Sequence, residues 1–202
     1  MNKFKVITIE RQYASGGRII GNLVAEKLGI PCYGREILEI TAKRYNISPE
    51  SIEHIEETTT NSLLYSLAMA SKIVSGVTDA MSPNDRLFCA ESEVITELAE
   101  KERCIIIGRC AGRVLSERDD CLSVFIYADN ESRVKRAVED YNIPKDEAES
   151  VLRKFDKRRS SFYNANSDIK WEDMSGYHIC LDSGRLGVEA CADVIAQIYN
   201  GQ

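Results

Sequence analysis

Lys5-Val6-Ile7-Thr8-Ile9-Glu10-Arg11-Gln12-Tyr13-Ala14-Ser15-Gly16-Gly17-Arg18-Ile19-Ile20 is a short apolar run, then a loop ending in two glycines, then the opening of a helix. Residues 5–10 read as a strand. Ile20, Leu23, Val24 and Leu28 recur at helical spacing, and Gly29 stops the helix. Strand, glycine loop and helix in that order can cradle phosphate. The helix start offers unpaired N–H groups to an anion, and glycine lets backbone approach it closely. The candidate cradle is Tyr13, Ala14, Ser15, Gly16, Gly17 and Arg18. It departs from the Walker A motif, which ends in Gly-Lys followed by Ser or Thr. Here Gly17-Arg18-Ile19 supplies no lysine and no adjacent hydroxyl for magnesium. Arg18 is a candidate substitute for the lysine charge, with a planar fork of different geometry. Ser15 is the hydroxyl available within the loop. A Gly-Gly turn that merely joins a strand to a helix would read the same way.

The alternation continues along the chain. Ile30-Pro31-Cys32-Tyr33 is a second short strand, and residues 35–45 form an amphipathic helix. A helix from Ser82-Pro83 runs to Lys101. Cys104-Ile105-Ile106-Ile107 is continuously apolar, as strands covered on both faces are. Further strands are expected at 122–127 and 177–182, and helices at 130–138, 146–163 and 187–199. Five strands alternating with helices predict an α/β fold: an open parallel sheet with helices on both faces. Between residues 51 and 83 the pattern shifts to acidic, polar and small residues, as expected of a helical insertion.

Composition narrows the function. No apolar run approaches the roughly 20 residues that span a bilayer. Residues 1–9 lack the apolar stretch and cleavage pattern of a secretory signal. The chain is therefore expected to be cytoplasmic, without a membrane partner. Its seven cysteines follow no zinc spacing, which suggests free thiols. His54 and His178 have no nucleophile near them in sequence and are read as structural. The formal net charge is −6, opposite to the excess of a general nucleic-acid binder, so no nucleic-acid partner is expected. The arginines are bunched, which suits a small anionic ligand.

Arg109 follows a buried strand and Gly108, so it stands where open α/β sheets bind ligands. A surface arginine at a strand end would look alike. Arg133 and Arg136 share one side of a helix, and one of the two is expected to reach phosphate. Arg153, Arg158 and Arg159 lie in the densest basic run, ahead of Phe162 and Tyr163. A solvated helix face could carry such a run. Phosphoryl transfer, however, needs several cations around the developing charge on the phosphoryl oxygens. Asp156, within this run, is placed to orient an arginine or to accept from a base or sugar.

Four segments carry a wider resemblance: residues 7–18, Ile107-Gly108-Arg109-Cys110-Ala111, Phe155-Asp156-Lys157-Arg158-Arg159, and Ser183-Gly184-Arg185-Leu186-Gly187. Through them the chain resembles the cytidylate-kinase-like family, nearly from end to end. The resemblance implies a P-loop kinase-like three-layer α/β/α fold with a five-stranded parallel sheet and a helical lid. It implies one domain over residues 1–202, with 51–83 as the acceptor-binding insertion and 145–167 as the lid. The activity it implies is transfer of the γ-phosphoryl of ATP to a nucleoside monophosphate, CMP or dCMP, with Mg2+. Without a gap, Gly17 aligns with the family's P-loop lysine; with a one-residue shift, Arg18 does. Cys110 replaces the aspartate of the family's Gly-Arg-Asp pattern. Tyr33-Gly34-Arg35-Glu36 replaces its Asp-Ser-Gly. Asp156 and Arg159 match the lid pair expected to touch the cytosine nucleotide.

On this reading residues 13–18 hold the ATP phosphates. Arg18, Arg136, Arg153, Arg158 and Arg159 neutralise the transferred phosphoryl, and Arg35 and Arg109 hold the acceptor phosphate with Asp156 and Arg159. The residue that holds the metal is left open, as is the oligomeric state. Two other readings fit the altered loop: a kinase of another small acceptor, or a non-catalytic nucleotide-binding protein. An RNA-binding module would draw on the 153–159 cluster with Phe162 and Tyr163, against the overall acidity.

Overall fold

The computed structural model describes residues 4–45 and 83–201, with side chains in the second stretch from residue 87. The expected insertion at 51–83 falls outside them but for its last residue, as does His54.

The chain runs β1 (Val6–Arg11), α1 (Gly17–Leu28), β2 (Cys32–Tyr33), α2 (Arg35–Arg44), α3 (Pro83–Lys101), β3 (Cys104–Ile107), α4 (Ala111–Val114) and β4 (Cys121–Tyr127). It continues through α5 (Asn130–Glu139), α6 (Lys145–Ala165), a 3-10 turn (Met174–Gly176), β5 (Ile179–Asp182), α7 (Ser183–Leu186) and α8 (Val188–Asn200). The strands order as β2-β3-β1-β4-β5, and each neighbouring pair is parallel. The first strand is thus central, with its carboxyl end between those of β3 and β4. That is the edge where open parallel sheets place their ligands.

Side-chain alternation along the strands sorts the core into two layers. Ile7, Ile9, Ile105, Leu122, Val124 and Ile126 pack with Ile20 and Val24 of α1 and with Cys191, Ala192, Ile195 and Tyr199 of α8. Val6, Cys104, Ile106 and Cys121 face the other way, onto Ile37 of α2, Val94, Ile95 and Ala99 of α3, and Ala111 and Leu115. Each fully buried isoleucine contributes about 1.5–3 kcal/mol of transfer free energy. This is the three-layer α/β/α architecture with a helical lid.

Two differences from the sequence reading matter for the site. β1 runs one residue further than expected, to Arg11, so this arginine belongs to the sheet. The last helical stretch is split at Gly187, with α7 starting at Ser183. All seven cysteines are free. Burial pushes the Cys104 and Cys110 thiols up to about 12. His178 has a structural role: its Nδ1 accepts from the Ser123 amide at 3.0 Å. Among the described residues no helix is long and apolar enough to cross a membrane.

Candidate phosphate-binding site

The loop between β1 and α1 closes on Gly16, whose φ of +79° is the left-handed conformation that favours glycine. Gly16 caps α1 with no side-chain acceptor, and the first turn carries no acidic residue. The amides of Gly17, Arg18 and Ile19 meet no acceptor among the described residues. Asp129 accepts from the Ser132 amide, and Asp182 from those of Gly184 and Arg185, whereas α1 begins with no side-chain cap, as do α2, α4, α6 and α8. The bare end of α1 therefore keeps the positive pole of the helix dipole and its free donors for an anion.

The loop's carbonyls are held by guanidinium groups from α5 and α6. Arg136 Nη1 donates to the Ala14 carbonyl at 2.8 Å, and Arg159 Nη1 to that of Arg11 at 3.0 Å. Arg133 reaches the Tyr13 carbonyl at 3.4 Å and pairs with Asp156. Asp156 Oδ1 in turn accepts from the Tyr13 amide at 2.6 Å. Of the two roles open to Asp156, it thus orients an arginine. Tyr13 stacks on Phe155 at 4.3 Å, and the Arg159 guanidinium lies 5.4 Å from its ring centroid. Ala14 packs with Ala137, Ala148 and Leu152. α6 therefore rests directly on the loop.

Arg109 sits in a left-handed run. Gly108, Arg109 and Cys110 have φ of +74°, +59° and +56°. Non-glycine residues in this region cost about 1–3 kcal/mol each and cluster at functional sites. The turn brings Arg109 Nη1 to 3.0 Å from the Glu91 carboxylate, whose side chain is 0% exposed. That contact lacks hydrogen-bond alignment, and neither Glu91 oxygen has a hydrogen-bonding partner. Burial raises the Glu91 pKa above its ordinary 4.5, and Arg109 only partly offsets this. A carboxylate whose folded pKa is raised holds its proton more tightly in the folded chain. Its contribution to stability is therefore lost as pH rises above the unfolded value. Glu91→Gln is expected to match the parent Tm at about pH 4 and to exceed it at about pH 8. The Arg109 side chain, 26% exposed, can then turn to water. Equal or lower stability of the variant at the higher pH would show that the pair is net stabilising.

The structure brings Tyr13, Ala14, Ser15, Gly16, Gly17, Arg136, Asp156 and Arg159 together, with Arg109 close by. The other expected site residues lie as follows. The Ser15 hydroxyl is fully buried and donates to the carbonyls of Gln12 and Ile126, so it is spent on the loop's own shape. Arg18 is exposed, and its charge acts on Cys32 and Glu36 on the β2 side as well as on Arg11. Arg153 is 71% exposed and pairs with Glu149 on the outer face of α6, apart from the loop. Arg35 starts α2 and pairs with Glu39 at 3.3 Å. Arg158 is half-buried on α6.

Three participants were missed. Ser183 donates to the Ser15 carbonyl at 2.5 Å and buttresses the loop from the start of α7. Trp171 donates from Nε1 to Glu10 at 3.3 Å. Arg11 lies at the centre of the cluster, and one signal could have found it: a basic residue five positions before Gly16. Phosphate fits this site, because free amides and several arginines converge on it. The loop's hydroxyl is consumed, and among the described residues no group of three or more His, Cys, Asp and Glu is placed to hold a metal ion.

A model of the cytidylate kinase-like family matches residues 6–185. No curated protein matches the chain. Among solved structures, an uncharacterized protein from Eubacterium ventriosum ATCC 27560 is 25% identical, with a TM-score of 0.73 over 98% of this chain and 99% of that one. A shikimate kinase from Acinetobacter baumannii in complex with shikimate is 16% identical, with a TM-score of 0.55 over 99% and 95%. A gluconokinase from Sinorhizobium meliloti 1021 is 15% identical, with a TM-score of 0.56 over 100% and 97%. The two kinases share the fold.

Proposed function

The chain belongs to the cytidylate kinase-like family, and from that premise we propose that it moves the γ-phosphoryl of ATP to a nucleoside monophosphate, CMP or dCMP. The observation that carries this is the uncapped first turn of α1, whose free amides face a ring of arginines. On this reading residues 13–18 hold the ATP phosphates. Arg136 and Arg159, already fixed on the loop, neutralise charge that develops on the transferred group. Residues 145–167 act as the lid and residues 51–83 as the acceptor-binding insertion. Arg35 and Arg109 hold the acceptor phosphate. A monophosphate is already anionic, so the transfer needs no general base. Magnesium would arrive with the nucleotide.

The test is ADP release with ATP and magnesium across nucleoside monophosphates and small hydroxylated acceptors. Stimulation by CMP or dCMP alone supports the acceptor proposed. Stimulation by another compound moves the chain to a kinase of that acceptor, with the cradle unchanged. A second reading has its own observation: Asp156 occupies the Tyr13 amide, and the loop has neither lysine nor free hydroxyl. It makes the protein a nucleotide binder without turnover. ATP binding with no ADP release for any acceptor would establish that reading.

A further inference from the structure

The Walker pattern is Gly, four residues, Gly, Lys. The glycine that caps α1 is Gly16, so the lysine position is Gly17, the first helical residue. Five residues before Gly16, where the pattern has its first glycine, stands Arg11. The basic residue and the glycine have changed places.

The packing explains why the two changes go together. A methyl group built on Gly17 would lie 2.6 Å from Arg11 Cβ and 2.8 Å from its Cγ. These are the near atoms of a side chain fixed on a strand, so they cannot swing aside. Arg11 therefore fills the room that a side chain at 17 would need. From there its guanidinium runs to Gly108 at the end of β3, where a methyl group would meet Nη1 at 2.1 Å. Glycine at 17 and at 108 leaves a channel, and the arginine of β1 lies in it. We propose that Arg11 is the phosphate-contacting cation of this loop, transposed from the helix to the strand, with Gly17 as its obligatory partner. The proposal rests on the kinase reading above and deepens it.

The electrostatics agree. Burial, then the positive charges of Arg159, Arg109 and Arg18, lower the Arg11 pKa to about 9. The acidic neighbour is Glu10, whose oxygen lies 3.9 Å from Arg11 Nη1. Glu10 is itself buried, which raises its pKa and weakens its hold as a counter-charge. Glu91 beside Arg109 and Asp156 beside Arg159 complete the acidic side, and burial raises the Glu91 pKa as it raises that of Glu10, so the cations keep an excess that a polyphosphate would neutralise. The Arg11 stem lies against Gly17, the first residue of α1.

A merely structural arginine would fill the same gap, so the test separates packing from charge. Binding of ATP and of inorganic tripolyphosphate is measured by calorimetry, and Tm by thermal unfolding, for the full chain. Arg11→Met keeps the aliphatic stem over Gly17 and removes the charge. It is expected to weaken both ligands about tenfold or more, whereas Arg11→Lys weakens them less. Gly17→Lys is expected to lower Tm in the Arg11 background. In the Arg11→Gly background the same change should be tolerated and should restore binding to within about fivefold of the parent. Binding by Arg11→Met equal to that of the parent would overturn the proposal and leave the kinase reading standing. Equal destabilisation by Gly17→Lys in both backgrounds would overturn the transposition. A parent chain that binds neither ligand would instead remove the kinase reading itself.

Discussion

Replacing Trp171 with alanine is expected to destabilise the protein by about 3–5 kcal/mol, the range for emptying a fully buried large aromatic position. Trp171 is 1% exposed and meets Phe125 edge-on at 5.4 Å. Its carbonyl accepts from the Tyr177 hydroxyl at 2.8 Å, and its Nε1 donates to Glu10 at 3.3 Å. The alanine variant thus opens a cavity and strips a buried carboxyl of its donor. Trp171→Phe keeps most of the volume and loses the donor, so it should cost about 1–3 kcal/mol. Urea unfolding followed by far-UV circular dichroism measures both, since the chain's one tryptophan is lost as a probe. An unchanged midpoint for Trp171→Ala would mean that the segment after the lid contributes nothing to the core.

Replacing Arg159 with alanine is expected to cut phosphoryl-transfer turnover by about tenfold or more, equivalent to about 1.4 kcal/mol or more in barrier. Arg159 reaches the loop from α6, donates to the Arg11 carbonyl and lies against the Tyr13 ring. Burial lowers its pKa, and the carboxylates of Glu10 and Asp156 act in the opposite direction. The side chain thus joins the lid to the loop and adds charge beside Arg11. Arg159→Lys keeps the charge but not the planar fork, so it should recover only part of the loss. Arg153→Ala, on the exposed face of the same helix, is the control and should leave turnover within about twofold of the parent. Steady-state kinetics with the acceptor found by the ADP-release screen decides. Unchanged turnover for Arg159→Ala would take the lid arginine out of the reaction.

The roles of Arg159 and Arg153 illustrate how far the basic run between 153 and 159 could be read. Composition showed that cations were concentrated there. Six residues of helix turn through more than one revolution, so neighbours in the run face different ways. Arg159 falls on the loop side with Asp156, and Arg153 falls outside with Glu149. The same limit applies to Arg18, one residue from Gly17, which is exposed while Gly17 is buried.

By itself the sequence determined the alternation of strands and helices, the parallel sheet and the position of the phosphate loop. These are local matters: apolar periodicity follows from backbone geometry, and a glycine after a strand and before a helix marks a turn wherever it occurs. Only the tertiary structure decided which side chain packs against Gly17. Arg11 and Gly17 are six positions apart and belong to different elements, and Gly108 arrives from a third strand. Whether a side chain at one position excludes a side chain at another depends on the distance between them after folding, and a linear pattern does not contain that distance.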